Sequence, residues 1–109
     1  MVMQSERRKH PRFNLPCRVK IAVPDHDKDL RVRSVNVSAG GLCCLVAAAL
    51  SPGTDVFLRV AVPRDTANTF FLEKFSSAAR VVRIDPPRPD EPEPRVALQF
   101  MSPLPVDLP

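Results

Sequence analysis

Apolar and polar residues alternate with a period of two along most of this chain. Leu15, Cys17, Val19, Ile21 and Val23 interleave with Pro16, Arg18, Lys20 and Ala22, which predicts a strand with one buried face. A second strand is expected from about Leu30 to Val37, but its phase slips: Leu30 and Val32 are even, Val35 and Val37 odd. A β-bulge near Arg33–Ser34 accounts for the slip and re-aims the side chains that follow. Gly41 to Val46 is a continuous apolar run, the pattern of a strand buried on both faces. Val56, Leu58, Val60 and Val62 alternate with Phe57, Arg59 and Ala61, after a turn signal at Ser51-Pro52-Gly53-Thr54. Another strand, or a bent pair, is expected from about Phe70 to Ile84. Val96, Leu98 and Phe100 mark the last one. Six strand-like segments joined by short turns predict an all-β barrel or sandwich. The one helix-friendly stretch, Leu45 to Leu50, is too short to nucleate alone and should give at most one turn.

Composition sharpens this picture in a few places. Thirteen Pro against three Gly argues against long helices. The 109 residues suffice for one domain with one core, and a formal charge of +4 favours anionic partners. That charge is uneven. Arg7, Arg8, Lys9, Arg12, Arg18 and Lys20 crowd the start against Glu6 alone, whereas Asp85 to Pro94 holds Asp85, Asp90, Glu91 and Glu93 with five Pro. The acidic segment reads as a stiff, solvated loop between strands. Residues 1–12 lack apolar periodicity and are expected to form a flexible basic arm, followed by a barrel over 13–102 and a Pro-rich tail over 103–109 in place of a helix. Charges occupy the place of a signal peptide's apolar stretch, and no run approaches the roughly 20 apolar residues of a membrane span, so a cytoplasmic protein is expected. Cys17, Cys43 and Cys44 lack metal-site spacing and read as small apolar strand residues. No metal site and no cofactor are expected.

Two segments carry candidate chemistry. In Arg7-Arg8-Lys9-His10-Pro11-Arg12, Pro11 disfavours helix, so Arg8 and Arg12 sit on extended chain. Guanidinium groups fork onto guanine edges, pair with phosphates and stack on bases. In Asn36-Val37-Ser38-Ala39-Gly40-Gly41, Asn36 and Ser38 share one face of a strand end and could meet a base edge, while the glycines permit positive φ and close backbone approach. Each segment alone has a plain structural explanation, a solvated tail or a side-chain-capped turn.

Their order is more informative. RxxxR precedes the first strand, and (D/N)xSxxG closes the second, with Asn36 following Arg12 by 24 residues. Together with Gly40-Gly41-Leu42, Leu50 to Thr54, Ala79 to Arg83 and Val96 to Phe100, this arrangement resembles the PilZ domain family over roughly residues 6 to 102. The resemblance implies a small six-stranded antiparallel β-barrel that binds cyclic di-GMP. It implies Arg8 and Arg12 on guanine edges and phosphates, Asn36 and Ser38 on a guanine edge, and Gly41 giving the ligand room. Arg7, just before RxxxR, goes in this family with an intercalated ligand dimer. Asn36 stands where Asp is common and replaces a charge-assisted acceptor by a neutral one. The expected role is a bacterial receptor or adaptor: ligand closes the arm onto the barrel and an unidentified effector protein reads the new surface. The alternative is a PilZ-like protein–protein module that does not bind the nucleotide. No DNA or RNA partner is expected, since the chain has neither Trp nor Tyr for stacking. No catalytic residues are expected, since no acid–base pair is placed by any pattern.

Overall fold

The computed structural model describes residues 16–24, 27–47, 50–65 and 67–102. They form six strands: β1 (Arg18–Ala22), β2 (Leu30–Ser38), β3 (Gly41–Leu45), β4 (Asp55–Asp65), β5 (Phe70–Asp85) and β6 (Arg95–Phe100). The strands close into an antiparallel barrel in the order β1-β2-β3-β6-β5-β4. The expected six-stranded barrel is therefore the observed one. The basic arm and the tail expected at the two ends lie outside the described residues.

Alternation produces this closure because one face of every strand must leave water. Val19 and Ile21, Leu58 to Val62 on alternate positions, and Val96, Leu98 and Phe100 all point into one core. Leu58 and Val62 are fully buried. Most of the predicted inward residues are here, while Phe70 and Phe71 at the β4–β5 hairpin end are exposed.

The phase slip in β2 is a bulge, as predicted, but one residue further on. Ser34 pairs with Cys44 and Asn36 with Cys43, so Val35 is the extra residue. The reason is Ser34. Its side chain is buried, its N–H donates to the Cys17 carbonyl (2.9 Å), and its Oγ accepts from the Cys17 N–H (2.8 Å). That pair holds Ser34 in register with β1 and defers the extra residue to Val35.

The segment expected as a strand or bent pair is one strand. Its first half pairs only with β4, its second half with β6, and Ala79 and Arg80 pair with both. A second bulge between Val81 and Arg83 sets Val82 outside the ladder. The turn signal at 51–54 is realised: Thr54 N–H donates to the Ser51 carbonyl (3.1 Å), with Gly53 at φ 88°. Pro at the second position and left-handed Gly at the third are the marks of a type II turn.

Candidate ligand-binding site

The site lies on the outside of the barrel, where β3 and β6 run side by side between β2 and β5. Core residues Val37, Leu42, Leu98 and Val81 point inward, so their neighbours point out. Register then sets these neighbours in rows. Asn36, Cys43, Ala97 and Arg83 are cross-strand partners in one row; Ser38, Gly41 and Gln99 form the next. The floor is made of the small residues Gly41, Cys43 and Ala97. Asn36 and Ser38 rise on one side and Arg83 on the other. The pocket, open to solvent on its outer side, has a volume of about 520 Å³, within the ordinary range for a small-molecule site.

The β5–β6 hairpin closes one end of this pocket. From sequence, Asp85 to Pro94 is expected to be a solvated loop without a functional role. In the structure Arg88 and Glu91 bridge, with Arg88 N–H donating to the Glu91 carbonyl (2.8 Å) and Glu91 N–H to the Arg88 carbonyl (3.0 Å). Pro89 and Asp90 fill the two central turn positions, residues suited to them by fixed φ and by local side-chain hydrogen bonding. The Glu91 carboxylate accepts two hydrogen bonds from Arg95, Nε at 3.1 Å and Nη2 at 2.8 Å. Arg88 and Arg95 both line the pocket, as does Arg83, which is paired with Asp85 at 3.1 Å. These three arginines are what sequence reasoning missed. The available signal was a lone Arg in an otherwise acidic, Pro-rich loop.

The Arg95 hydrogen bonds hold the Glu91 carboxyl below the ordinary carboxylate range. A depressed folded-state pKa contributes stability above the unfolded pKa and loses it as pH falls through the folded value. The hairpin anchor is thus present at neutral pH and released in acid. Carboxyl NMR titration is expected to show Glu91 moving to a higher pKa in Arg95→Ala, and an unchanged value would refute the pairing.

The predicted turn residues come together, with two changes of role. Ser38 Oγ accepts from the Gly40 N–H (3.2 Å) and donates to the Gly41 carbonyl (3.3 Å), so its hydroxyl shapes the β2–β3 turn as well as lining the pocket. Neither Gly40 nor Gly41 has positive φ; Gly53 does. Gly41 is needed for close approach instead. A Cβ there would run into the backbone carbonyl oxygen of Leu98 on β6. Arg7, Arg8 and Arg12 lie outside the described residues.

The cysteines behave as packing residues. Cys17, Cys43 and Cys44 are buried and form no disulfide, and burial pushes the Cys44 thiol up to about 12. Among the described residues no helix is long and apolar enough to cross a membrane, and no cluster of metal-ligating side chains occurs.

Comparison with known proteins bears on the family and the fold. The family model described as PilZ domain matches residues 6–108. Inhibitor of motility (MotI/DgrA) from Bacillus subtilis superposes with a TM-score of 0.74 at 21% identity, covering 88% of this chain and 43% of that one. The PilZ domain of YcgR from Escherichia coli, solved with c-di-GMP, gives 0.57 at 19% identity, covering 87% and 78%. YcgR from Escherichia coli in complex with c-di-GMP gives 0.64 at 23% identity, covering 87% and 38%. The chain thus spans less than half the length of MotI and of that YcgR structure. No curated protein sequence matches it.

Proposed function

The chain belongs to the PilZ domain family, and from that premise we propose that it is a cyclic di-GMP receptor whose ligand seats in the pocket between the β2–β3 turn and the β5–β6 hairpin. One observation carries the reading. The (D/N)xSxxG residues Asn36, Ser38 and Gly41 gather on a single outward pocket wall and floor, with guanidinium groups facing them. A neutral amide suits a base edge, and guanidinium groups suit phosphodiester oxygens. Two fold neighbours, both YcgR structures, hold c-di-GMP.

In this reading Arg8 and Arg12 clamp guanine edges and phosphates from the N-terminal segment, and Asn36 and Ser38 hold one guanine edge. Arg7 favours an intercalated ligand dimer. Ligand draws the arm onto the barrel, and an effector protein reads the altered surface. Ordering the arm costs conformational entropy, so binding must include contacts that exceed it. The role is that of a receptor and not of an enzyme, and its setting is the bacterial cytoplasm.

Calorimetric titration with cyclic di-GMP, with backbone NMR alongside, tests the proposal. Heat of binding and shifts at Asn36, Ser38 and Gly41 are expected. A silent titration with unmoved resonances would overturn it.

A further inference from the structure

Three guanidinium groups line the pocket, but they are not equivalent. Arg95 is committed to Glu91 through two hydrogen bonds and Arg83 to Asp85 through one. The Arg88 guanidinium has no hydrogen bond or ion pair among the described residues, although its backbone is fixed at both N–H and C=O by Glu91. Pro86, Pro87 and Pro89 restrict φ on both sides of it. Arg88 is therefore a cation on a stiff support, near enough to Glu91 to act on its carboxylate but making no direct ion pair with it. Such preorganisation lowers the entropy lost on binding.

Its position matters as much as its charge. Asn36 stands on β2 and Arg83 on β5, with β3 and β6 between them. Three strand spacings separate the two sides, about 14 Å of backbone. A single purine held at Asn36 does not cover that width. A molecule that fills the pocket from the amide side to the arginine side must carry a polar base edge at one end and an anionic group at the other.

We infer that Arg88 holds a phosphodiester of the bound dinucleotide, making the β5–β6 hairpin a second, prearranged clamp opposite the Asn36 and Ser38 wall. The inference rests on the cyclic di-GMP reading above. It assigns a role to a segment that the RxxxR and (D/N)xSxxG motifs leave out. Arg95 does its work indirectly: by gripping Glu91 it holds the turn that carries Arg88. The contact is a charge-assisted hydrogen bond, so it needs a cation at this position and weakens with salt.

The experiment is calorimetric titration of the full chain with cyclic di-GMP, comparing wild type, Arg88→Ala, Arg88→Lys and Arg88→Glu at low and high salt, with Tm measured for each. Arg88→Ala is expected to raise Kd about tenfold or more, the usual scale for a hydrogen bond to a charged group. Arg88→Glu should raise it further, and Arg88→Lys should recover part of the loss. The affinity of Arg88→Ala should depend less on salt than that of wild type, with Tm unchanged. A wild type that binds while Arg88→Ala keeps the wild-type Kd overturns this inference and leaves the receptor reading intact. So does an affinity loss that tracks a fall in Tm and is not rescued by Lys. A wild type that does not bind overturns the receptor reading itself, and the inference with it.

Discussion

Gly41→Ala is expected to destabilise the barrel by about 1–3 kcal/mol, the usual cost of forcing an extra carbon into a filled space. The sign is the informative part. Glycine inside a strand ordinarily weakens it by roughly 0.5–1 kcal/mol relative to alanine, so replacement should stabilise. At Gly41 the added carbon meets the Leu98 carbonyl oxygen, with the Gln99 Cα at 3.2 Å and the Leu98 carbonyl carbon at 3.3 Å. All three are backbone atoms of the paired strand β6, and none can swing aside like a flexible side chain. β3 and β6 must separate or slide, and both Gly41↔Gln99 and Leu42↔Leu98 belong to the register they would lose. Urea denaturation measures the result. A midpoint above wild type would refute the close-approach account. Gly41→Val should fall further, and either variant should disturb the pocket floor.

Arg8→Ala/Arg12→Ala is expected to act in the opposite way, abolishing binding and sparing the fold. Each guanidinium contact to an anion or base edge contributes on the order of 1.5–3 kcal/mol. Losing two corresponds to roughly a hundredfold or greater rise in Kd. The urea midpoint should stay at the wild-type value. Calorimetry checks the first half and denaturation the second. Retained cyclic di-GMP affinity would show that the arm is not the clamp, and would transfer the phosphate contacts to the hairpin arginines. The two variants together separate a residue needed to build the pocket from residues needed to fill it.

Much of this was legible in the sequence because burial in a barrel has a period of two. Val19, Ile21, Leu58, Val60, Leu98 and Phe100 announce their inward face directly. The slip between Val32 and Val35 revealed a bulge, but its position depended on Ser34 bonding to Cys17, a contact between strands that no local pattern shows. The bulge at Val82 left a similar switch, Ala79 and Val81 odd and Ile84 even, but the adjacent apolar pair Val81-Val82 blurs where it falls. In the site, Asn36, Ser38 and Gly41 were found by their spacing. Arg83, Arg88 and Arg95 were not, because they become neighbours of Asn36 only once β6 is known to lie between β3 and β5. For Gly41 the sequence allows both positive φ and close backbone approach; only the strand order shows that the second applies, against the backbone of β6.

The strand order has a further consequence for when the pocket is complete. Asn36 and Ser38 precede the floor residues Ala97 and Gln99 by some sixty positions, and β6 is the last of the six strands in the chain. During synthesis the turn motif leaves the ribosome well before the strand that completes its pocket. Contacts of such long sequence separation form late. A nascent chain ending before β6 therefore displays the motif without a place to seat a ligand. Ligand capture would report the arrival and docking of one strand, which makes stalled nascent chains of graded length a direct clock for closure of this barrel.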